Sequence, residues 1–164
     1  MASRSDRAAT QDDAAHALFV RVYPHLARWA ASATGSLTAG QDIAAEAFAR
    51  LWARWSKVAN PEAWLWMVAT NLVKDRWRKQ QRERVLESTL VLIDNGTPPP
   101  DTGLLDLVTR LPARLRLAVT LHYFADMPVS KVATTMGRPE GSVKRWLAEA
   151  RAQLAIELED QHGT

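Results

Sequence analysis

The feature of this sequence that most constrains its fold is a helical periodicity interrupted by three consecutive prolines. Apolar residues recur every three or four positions along most of the chain, and β-branched residues cluster only around residues 90–93. The prolines at residues 98–100 cannot continue a helix and favour an extended, fairly stiff spacer. The sequence therefore predicts an all-α protein of two small helical domains held apart by an extended linker. A proline loop packed against one core is the alternative.

Start signals define three helices in the first domain. The first helix is predicted over about residues 12–32. Thr38 and Gln41 have the spacing of a capping box, which predicts the start of a second helix. Asn60 is the expected N-cap of a third helix, with Pro61 at its first position.

Each of these helices carries an apolar stripe that we expect to face a shared core. Trp66 and Trp77 lie off the stripe of the third helix, which predicts partial exposure, although packing is favoured for both. The stripes contain Leu18, Phe19, Val22, Leu26, Trp29, Ala30 and Ala33; Ile43, Ala44, Ala47, Phe48, Leu51, Trp52 and Trp55; and Trp64, Leu65, Val68 and Leu72.

Basic residues concentrate on the third helix. Residues 72–84 hold six bases against two acids, a net +4, while the whole chain carries only +3. Such a segment suits a polyanion, and a solvated helix end is the alternative. The bases are Lys74, Arg76, Arg78, Lys79, Arg82 and Arg84; Asn71, Lys74, Asp75 and Arg78 form one polar strip, called the α3 strip below.

The second domain has the spacing of a helix-turn-helix. The composition divides the chain into a first domain at residues 12–84, a linker at 85–103 and a second domain at 104–158. Ala133 supplies a small contact residue, Gly137 a turn and Val143 an apolar docking residue.

The second helix of this motif offers a surface that suits DNA. Val143, Leu147 and Ala150 turn inward on a helical wheel, which leaves polar residues outward. Arginine side chains suit guanine edges or phosphates, and a helix N-terminus suits phosphate. A helical hairpin with solvated charges is the alternative. The candidate contact residues are Arg138, Ser142, Lys144, Arg145 and Arg151.

Composition argues against several other classes of protein. The chain has no cysteine, its four histidines lack metal-ligand spacing, and it has no glycine-rich phosphate loop. We therefore predict no enzyme activity, no metal and no cofactor. The apolar runs are too short to span a bilayer and the first residues are polar, so we expect no membrane insertion, no signal peptide and a cytoplasmic location.

Three collinear motifs carry a family resemblance over about residues 14–154. Residues 64–78, WLWMVATNLVKDRWR, closely resemble the W-L-x-x-I-A-x-N-x-x-x-D-x-x-R signature of extracytoplasmic-function sigma factors. Residues 42–52, DIAAEAFARLW, are similar to that family's D-L-V-Q-E-T-F-x-x-x-W helix. Residues 111–151 are similar to its fourth conserved region, which begins with L-P and ends with G-T-V-K-S-R-L-x-R-A-R.

The resemblance implies an alternative sigma factor with a sigma region 2-like bundle and a sigma region 4-like helix-turn-helix domain. Its partners would be core RNA polymerase, promoter DNA and an anti-sigma factor. The linker would follow the RNA exit path or the active-site channel. The residues that would dock the β′ clamp helices are Asp42, Ala45 and Glu46. The −10 element would be bound by Asn71, Lys74, Arg76, Arg78, Lys79 and the loop at residues 57–63. The −35 element would be bound by Arg138, Ser142, Lys144, Arg145 and Arg151, and the helix-turn-helix would also contact the β flap.

Departures from the family pattern limit what can be transferred. Ala45 replaces a glutamine on the polymerase-facing helix, and Arg145 and Glu149 stand where serine and arginine are common. The −35 preference of a relative therefore does not apply to this chain. Two other functions stay open at this point: a stand-alone dimeric helix-turn-helix regulator, and a helical adaptor that binds another protein through its tryptophans.

Overall fold

The computed structural model describes residues 3–87 and 102–163, and these residues form helices and short connections without any β-strand. The all-α prediction is confirmed. The helices are α1 (Arg4–Thr34), α2 (Leu37–Arg54), α3 (Pro61–Glu87), α4 (Thr102–Arg110), α5 (Ala113–Val119), α6 (Val129–Met136) and α7 (Glu140–His162), with a 3₁₀ turn at Trp55–Lys57 and a π turn at Thr120–Phe124.

Helix α1 begins eight residues earlier than predicted. Ser3 Oγ accepts a hydrogen bond from the Asp6 backbone N–H at 3.2 Å, and the Ser3 N–H donates to Asp6 Oδ2 at 3.1 Å. This capping box satisfies two N–H groups at the helix start, so the polar residues that follow are helical without an apolar stripe. Pro24 lies inside the helix, and Gly35 ends it in the left-handed region at φ 76°.

The predicted start of α2 is wrong, whereas the predicted start of α3 is right. Helix α2 is capped by Ser36, whose Oγ accepts from the Ala39 N–H at 3.2 Å, so the predicted Thr38 cap is wrong. A serine two residues earlier takes the same role and adds a half-turn of helix. Helix α3 begins as predicted, because Asn60 Oδ1 accepts from the Ala63 N–H at 3.2 Å.

Tryptophans form much of the core of the first half, α1–α3. Trp29 is fully buried, and its ring meets Trp66 edge to face with centroids 5.4 Å apart. Trp66 is 2% exposed and Trp77 is 8% exposed, so the predicted partial exposure is wrong and the packing alternative is right. Trp77 is fixed from α1, since its Nε1–H donates to the Ala33 carbonyl at 3.0 Å.

Helices α1 and α2 cross closely at a glycine. A Cβ atom at Gly40 would lie 2.5 Å from the Ala31 nitrogen and 2.6 Å from the Ala27 oxygen. Both are backbone atoms, which cannot rotate away from a methyl group as a flexible side chain can. Gly40 therefore permits the contact between the two helices.

The second half, α4–α7, contains the predicted helix-turn-helix at α6 and α7. Ala133 and Val143 are buried, and Gly137 turns the chain at φ 65°. Before it, the π turn brings the Ala125 N–H to the Thr120 carbonyl at 3.0 Å, and Asp126 follows at φ 54°. These features aim α6 and α7 relative to α5.

The two halves pack against each other, so the predicted spacer that holds them apart is corrected. Helix α3 contacts α5 and α6, while α1 contacts α4 and the π turn, and one hydrophobic cluster runs through both halves. The described ends of the predicted linker, residues 85–87 and 102–103, are helical. Its remaining residues, including the apolar segment at 90–93, lie outside the described residues.

Candidate nucleic-acid interface

The α3 strip lies on the solvent side of the first half. Asn71, Asp75 and Arg78 are exposed and Lys74 is half-buried, as four positions on one side of a helix predict. Arg78 Nη1 lies 3.0 Å from Asp75 Oδ1, with both side chains well exposed. An exposed pair of this kind contributes little to stability, so Arg78 can exchange its carboxylate for a phosphate at small cost.

The other basic residues that were predicted to contact the −10 element extend the α3 strip along the helix. Lys79 Nζ lies 3.9 Å from Glu83 Oε1, and Lys79 is exposed. Arg76 is half-buried, so its stem packs while its position stays at the edge of the strip. The structure thus presents the Asn71 amide and several cations on a single helix, an arrangement that suits contact with nucleic-acid bases and phosphates together.

The predicted loop at residues 57–63 is shorter in the structure, because residue 57 ends the 3₁₀ turn and residues 61–63 are the first turn of α3, and this segment lines a cavity between the two halves. The cavity has a volume of about 420 Å³. Lys57, Asn60, Trp64 and Met67 are among the residues that line it from the first half, with Arg54, Val58, Ala59 and Ala63; helix α6 contributes Lys131, Thr134 and Thr135. The loop predicted to bind the −10 element therefore faces the first helix of the helix-turn-helix.

Helix α7 has the orientation that the sequence predicted. Val143, Leu147 and Ala150 are buried. The candidate contact residues Arg138, Lys144, Arg145 and Arg151 are exposed, and Ser142 is half-buried. Together with Arg138, which precedes the helix, they give the N-terminal half of α7 a basic outer face, which suits a major groove and its phosphates.

Two contacts on this face involve residues that the sequence did not indicate. Arg151 Nη1 donates to Tyr123 Oη at 2.8 Å, and Glu149 Oε1 lies 3.6 Å from Arg114 Nη2. Their partners lie 28 and 35 positions away in sequence, on the π turn and on α5. No local pattern predicts such pairs, although an exposed tyrosine next to a basic helix is a signal in retrospect.

Helix α2 presents the face predicted to bind polymerase. Asp42, Ala45 and Glu46 are all exposed. Glu46 Oε1 lies 2.9 Å from Arg50 Nε, one turn further along the helix. The face is therefore a polar surface with one small residue, available to a partner.

An exposed aromatic groove adjoins this face. Two aromatic side chains beside it were predicted to face the core, and this part of the predicted apolar stripes is wrong. Phe19 is 43% exposed and Trp52 is 56% exposed, although the periodicity placed both inward. The ring of Phe19 stacks on Tyr23 at 4.7 Å and meets Phe48 at 5.1 Å. The stripes are wider than the contact between α1 and α2, so their outer members line a groove of about 600 Å³ with Trp55.

Two histidines, His25 and His122, connect helices to nearby backbone carbonyls. His25 Nε2 is 3.1 Å from the Ala125 carbonyl, and His122 Nδ1 is 2.7 Å from the Met127 carbonyl. Within residues 3–87 and 102–163, no group of three histidine or acidic side chains is placed to hold a metal ion. No helix in these ranges is long and apolar enough to cross a membrane.

Both halves match known regions of one protein family. Residues 6–83 match Sigma-70 region 2, and residues 102–154 match Sigma-70, region 4. A basic helix in each half and these two regions in this order define a promoter-recognising initiation factor. The chain belongs to the sigma-70 family of RNA polymerase sigma factors.

Similar proteins place the chain more narrowly, among the extracytoplasmic-function members. It is 28% identical to the extracytoplasmic-function RNA polymerase sigma factor SigL of Mycobacterium tuberculosis, over 98% of this chain and 97% of the relative. It is also 28% identical to the probable RNA polymerase sigma factor RfaY of Xanthomonas campestris, over 76% of this chain, but spans only 35% of that relative's length. These relatives give no support to the stand-alone dimeric regulator.

A solved structure shares the fold. The sigma factor RpoE of Bartonella quintana, solved in complex with the anti-sigma factor NepR, superposes with a TM-score of 0.70 at 22% identity. The match covers 86% of this chain and 94% of that one. The arrangement of helices described above is thus one that a sigma factor adopts.

Proposed function

We propose that this chain binds core RNA polymerase and directs transcription from a specific set of promoters, without catalysing a reaction itself. One observation carries the proposal: a chain that matches both sigma-70 regions exposes a face rich in lysine and arginine in each of them, on α3 and on α7. Two separate faces on one chain suit two separate promoter elements. The proposed location is the cytoplasm, where the polymerase is found.

The α3 strip and the loop at residues 57–63 form the proposed −10 surface. The exposed amide of Asn71 both donates and accepts hydrogen bonds, so it can recognise the edge of a base that has left the duplex. Lys74, Arg76, Arg78 and Lys79 neutralise the phosphates on either side.

Helix α7 is the proposed −35 surface, with Arg145 as its principal contact to bases. Its exposed position near the helix N-terminus corresponds to the part of a recognition helix that enters a major groove. Arg138, Ser142 and Lys144 then bind phosphates, and the hydrogen bond from Arg151 to Tyr123 fixes the guanidinium beside the groove.

The exposed face of α2 is the proposed docking site for the β′ clamp helices, through Asp42, Ala45 and Glu46. The second half would contact the β flap. We also propose an anti-sigma factor as a partner, because the RpoE structure with this fold is a complex with one. That partner would compete with polymerase for the first half.

Run-off transcription with bacterial core polymerase on a pool of promoter fragments tests the proposal. The wild-type chain should give specific transcripts. Asn71→Ala should reduce all of them, because a melted −10 base loses its polar contact. Arg145→Ala should change which fragments are transcribed, because one good base contact contributes about 1–3 kcal/mol of discrimination.

Matched variants separate DNA contact from loss of folding and from polymerase binding. Asn71→Asp keeps the shape but removes the donor, so it should resemble Asn71→Ala. Glu159→Ala, at an exposed position on α7, should behave as wild type. Asp42→Lys should weaken binding to core polymerase in a direct binding assay. If the wild-type chain neither binds core polymerase nor yields a specific transcript, the proposal is wrong.

A further inference from the structure

Helix α7 carries an acidic side chain on the face that is proposed to bind DNA. Glu149 follows Arg145 by four residues, which is about one turn, so the two side chains lie on the same side of the helix. Arg145 is exposed and Glu149 is half-buried. DNA phosphates repel a carboxylate, so on this face it favours binding only where the groove offers it a hydrogen-bond donor.

A cation from another helix holds this carboxylate. Glu149 Oε1 lies 3.6 Å from Nη2 of Arg114, in the first turn of α5. At this distance the two charges attract each other without a hydrogen bond, so the oxygen lone pairs stay available to a donor. Among the described residues, the ion pair of Glu149 is with Arg114 rather than with Arg145, so Glu149 and Arg145 can act separately in the groove.

The pair of Arg114 and Glu149 is better suited to orienting the carboxylate than to stabilising the fold. The two side chains are 55% and 41% exposed, and exposed ion pairs contribute little to stability. The guanidinium also places a positive charge beside the carboxylate, which reduces the repulsion between the carboxylate and the phosphates. The pair can therefore affect DNA recognition with little effect on folding.

The base edges in the major groove determine which base a carboxylate can bind. Cytosine presents an amino donor there, guanine presents two acceptors, thymine an acceptor and a methyl group, and adenine an acceptor next to its amino group. A carboxylate only accepts hydrogen bonds, so cytosine is the base that it fits without repulsion. An arginine only donates, so Arg145 fits the two acceptors of guanine.

The spacing of Arg145 and Glu149 limits the distance between the two bases. Residues four positions apart on a helix have Cβ atoms about 5–6 Å apart, and successive base pairs are about 3.4 Å apart along the duplex. The two contacts therefore fall within about two base pairs of each other.

We propose that Glu149 is a specificity-determining residue of the −35 surface, which selects a cytosine within about two base pairs of the guanine that Arg145 binds, and that Arg114 is a positioning residue for its carboxylate. This inference rests on the proposed function and names part of the sequence that the −35 surface recognises. The preferred −35 element of this chain then contains a guanine and a cytosine close together.

Selection from a promoter library randomised across the −35 region tests the proposal. Core polymerase with the wild-type chain forms initiation complexes on the library, and the templates in these complexes are recovered and sequenced. We expect a cytosine at one position, preferred about tenfold over the other bases, and a guanine within about two base pairs of it. Arg145→Ala should remove the guanine preference and keep the cytosine preference.

Substitutions of the ion pair should act on the cytosine position alone. Glu149→Gln keeps the shape and adds a donor, so the preferred base should become adenine, and the ratio of cytosine to adenine should fall about tenfold or more. Arg114→Gln should weaken the cytosine preference without creating a new one, and Arg114→Lys, which keeps the charge, should retain most of it. A pair that only supported the fold would not change the base selected at one position.

Arg110 and Glu157 provide a matched control. Their ion pair joins α4 to α7 at 3.7 Å, with side chains 64% and 39% exposed. It lies eight residues beyond Glu149, about 12 Å farther along the axis of α7. Glu157→Gln should therefore leave the base preferences unchanged. If it alters the −35 profile as Glu149→Gln does, base selection does not reside at Glu149 and the proposal is wrong.

The negative results are distinguishable, provided that circular dichroism shows the variants to be folded. If specific templates are recovered but the wild type has no cytosine preference, or Glu149→Gln leaves the profile unchanged, the role of Glu149 is refuted while the proposed function stands. If Glu149→Gln changes the base and Arg114→Gln has no effect, the positioning role of Arg114 is refuted. If the wild-type chain neither binds core polymerase nor selects any template, the proposed function fails.

Discussion

Each half of this protein presents one exposed basic helix, but the two halves position that helix by different means. The first half uses three long helices, of 31, 18 and 27 residues, and fixes them with buried tryptophans such as Trp29 and Trp66. The second half uses helices of 9, 7 and 8 residues before α7 and a core of leucine and valine. Large side chains position the first surface, whereas turns position the second.

Substitutions in the two cores test whether this difference extends to separate stability. Trp29→Ala should lower the free energy of unfolding by about 3–5 kcal/mol, and Leu115→Ala by about 2–5 kcal/mol. Because one hydrophobic cluster joins the halves, both variants should shift a single urea transition followed by circular dichroism. Two separate transitions, each sensitive to one variant, would show that the halves unfold independently.

Stability should be more sensitive to substitution of Gly40, in the first half, than to substitution of Gly141, in the second. Gly40→Ala places a methyl group against backbone atoms of α1 and should cost about 3 kcal/mol through overpacking. The measurement is urea denaturation. Gly141→Ala, at a position with no atom within 4 Å, is the control and should leave stability unchanged or raise it by about 0.5 kcal/mol. Equal effects would contradict the close crossing of α1 and α2.

A turn residue in the second half should respond to backbone strain rather than to crowding. Gly137→Ala meets no neighbouring atom within 4 Å, but the residue has φ 65°, so the variant should lose about 1–2 kcal/mol. Gly137→Asn should lose less, because asparagine tolerates the left-handed region better. Thermal denaturation of the two variants distinguishes strain from crowding, and equal losses would argue against a strained turn.

The smallest expected effect concerns the cap of α2. Ser36→Ala removes the oxygen that accepts from the Ala39 N–H and should cost about 1 kcal/mol. Thr38→Ala, one residue inside the helix, should change stability by less than about 0.5 kcal/mol. If Thr38→Ala lost more stability than Ser36→Ala in urea denaturation, Thr38 would be the cap, as the sequence pattern predicted.

Local signals predicted the parts of the fold that depend on neighbouring residues. The Asn60–Pro61 start of α3 and the Ala133, Gly137 and Val143 positions of the helix-turn-helix are correct, because a cap or a tight turn needs only a few adjacent side chains. The predicted start of α2 is wrong because Ser36, two residues before Thr38, accepts the capping hydrogen bond that the capping-box spacing assigned to Thr38.

Contacts between distant residues explain what the sequence could not supply. Trp77 is buried because Arg116 and the Ala33 carbonyl cover it, 39 and 44 positions away. A helical wheel treats each helix alone, so it misplaced this side chain and also Trp52, which it turned inward. The candidate DNA and polymerase residues remain predictions about function, although most of them are exposed.

The π turn at Thr120–Phe124 determines how a change in chain length affects the direction of the helix-turn-helix. A π turn holds one residue more than the α-helix it interrupts, and the Ala125-to-Thr120 hydrogen bond spans that extra residue. The widened turn takes up this residue, so deleting a single residue there would restore ordinary α-helical bonding and leave α6 and α7 aimed nearly as before. The same deletion within α5 would instead turn everything after it by about 100° around the helix axis. A change of one residue in length is therefore better tolerated in this turn than in the helix that precedes it.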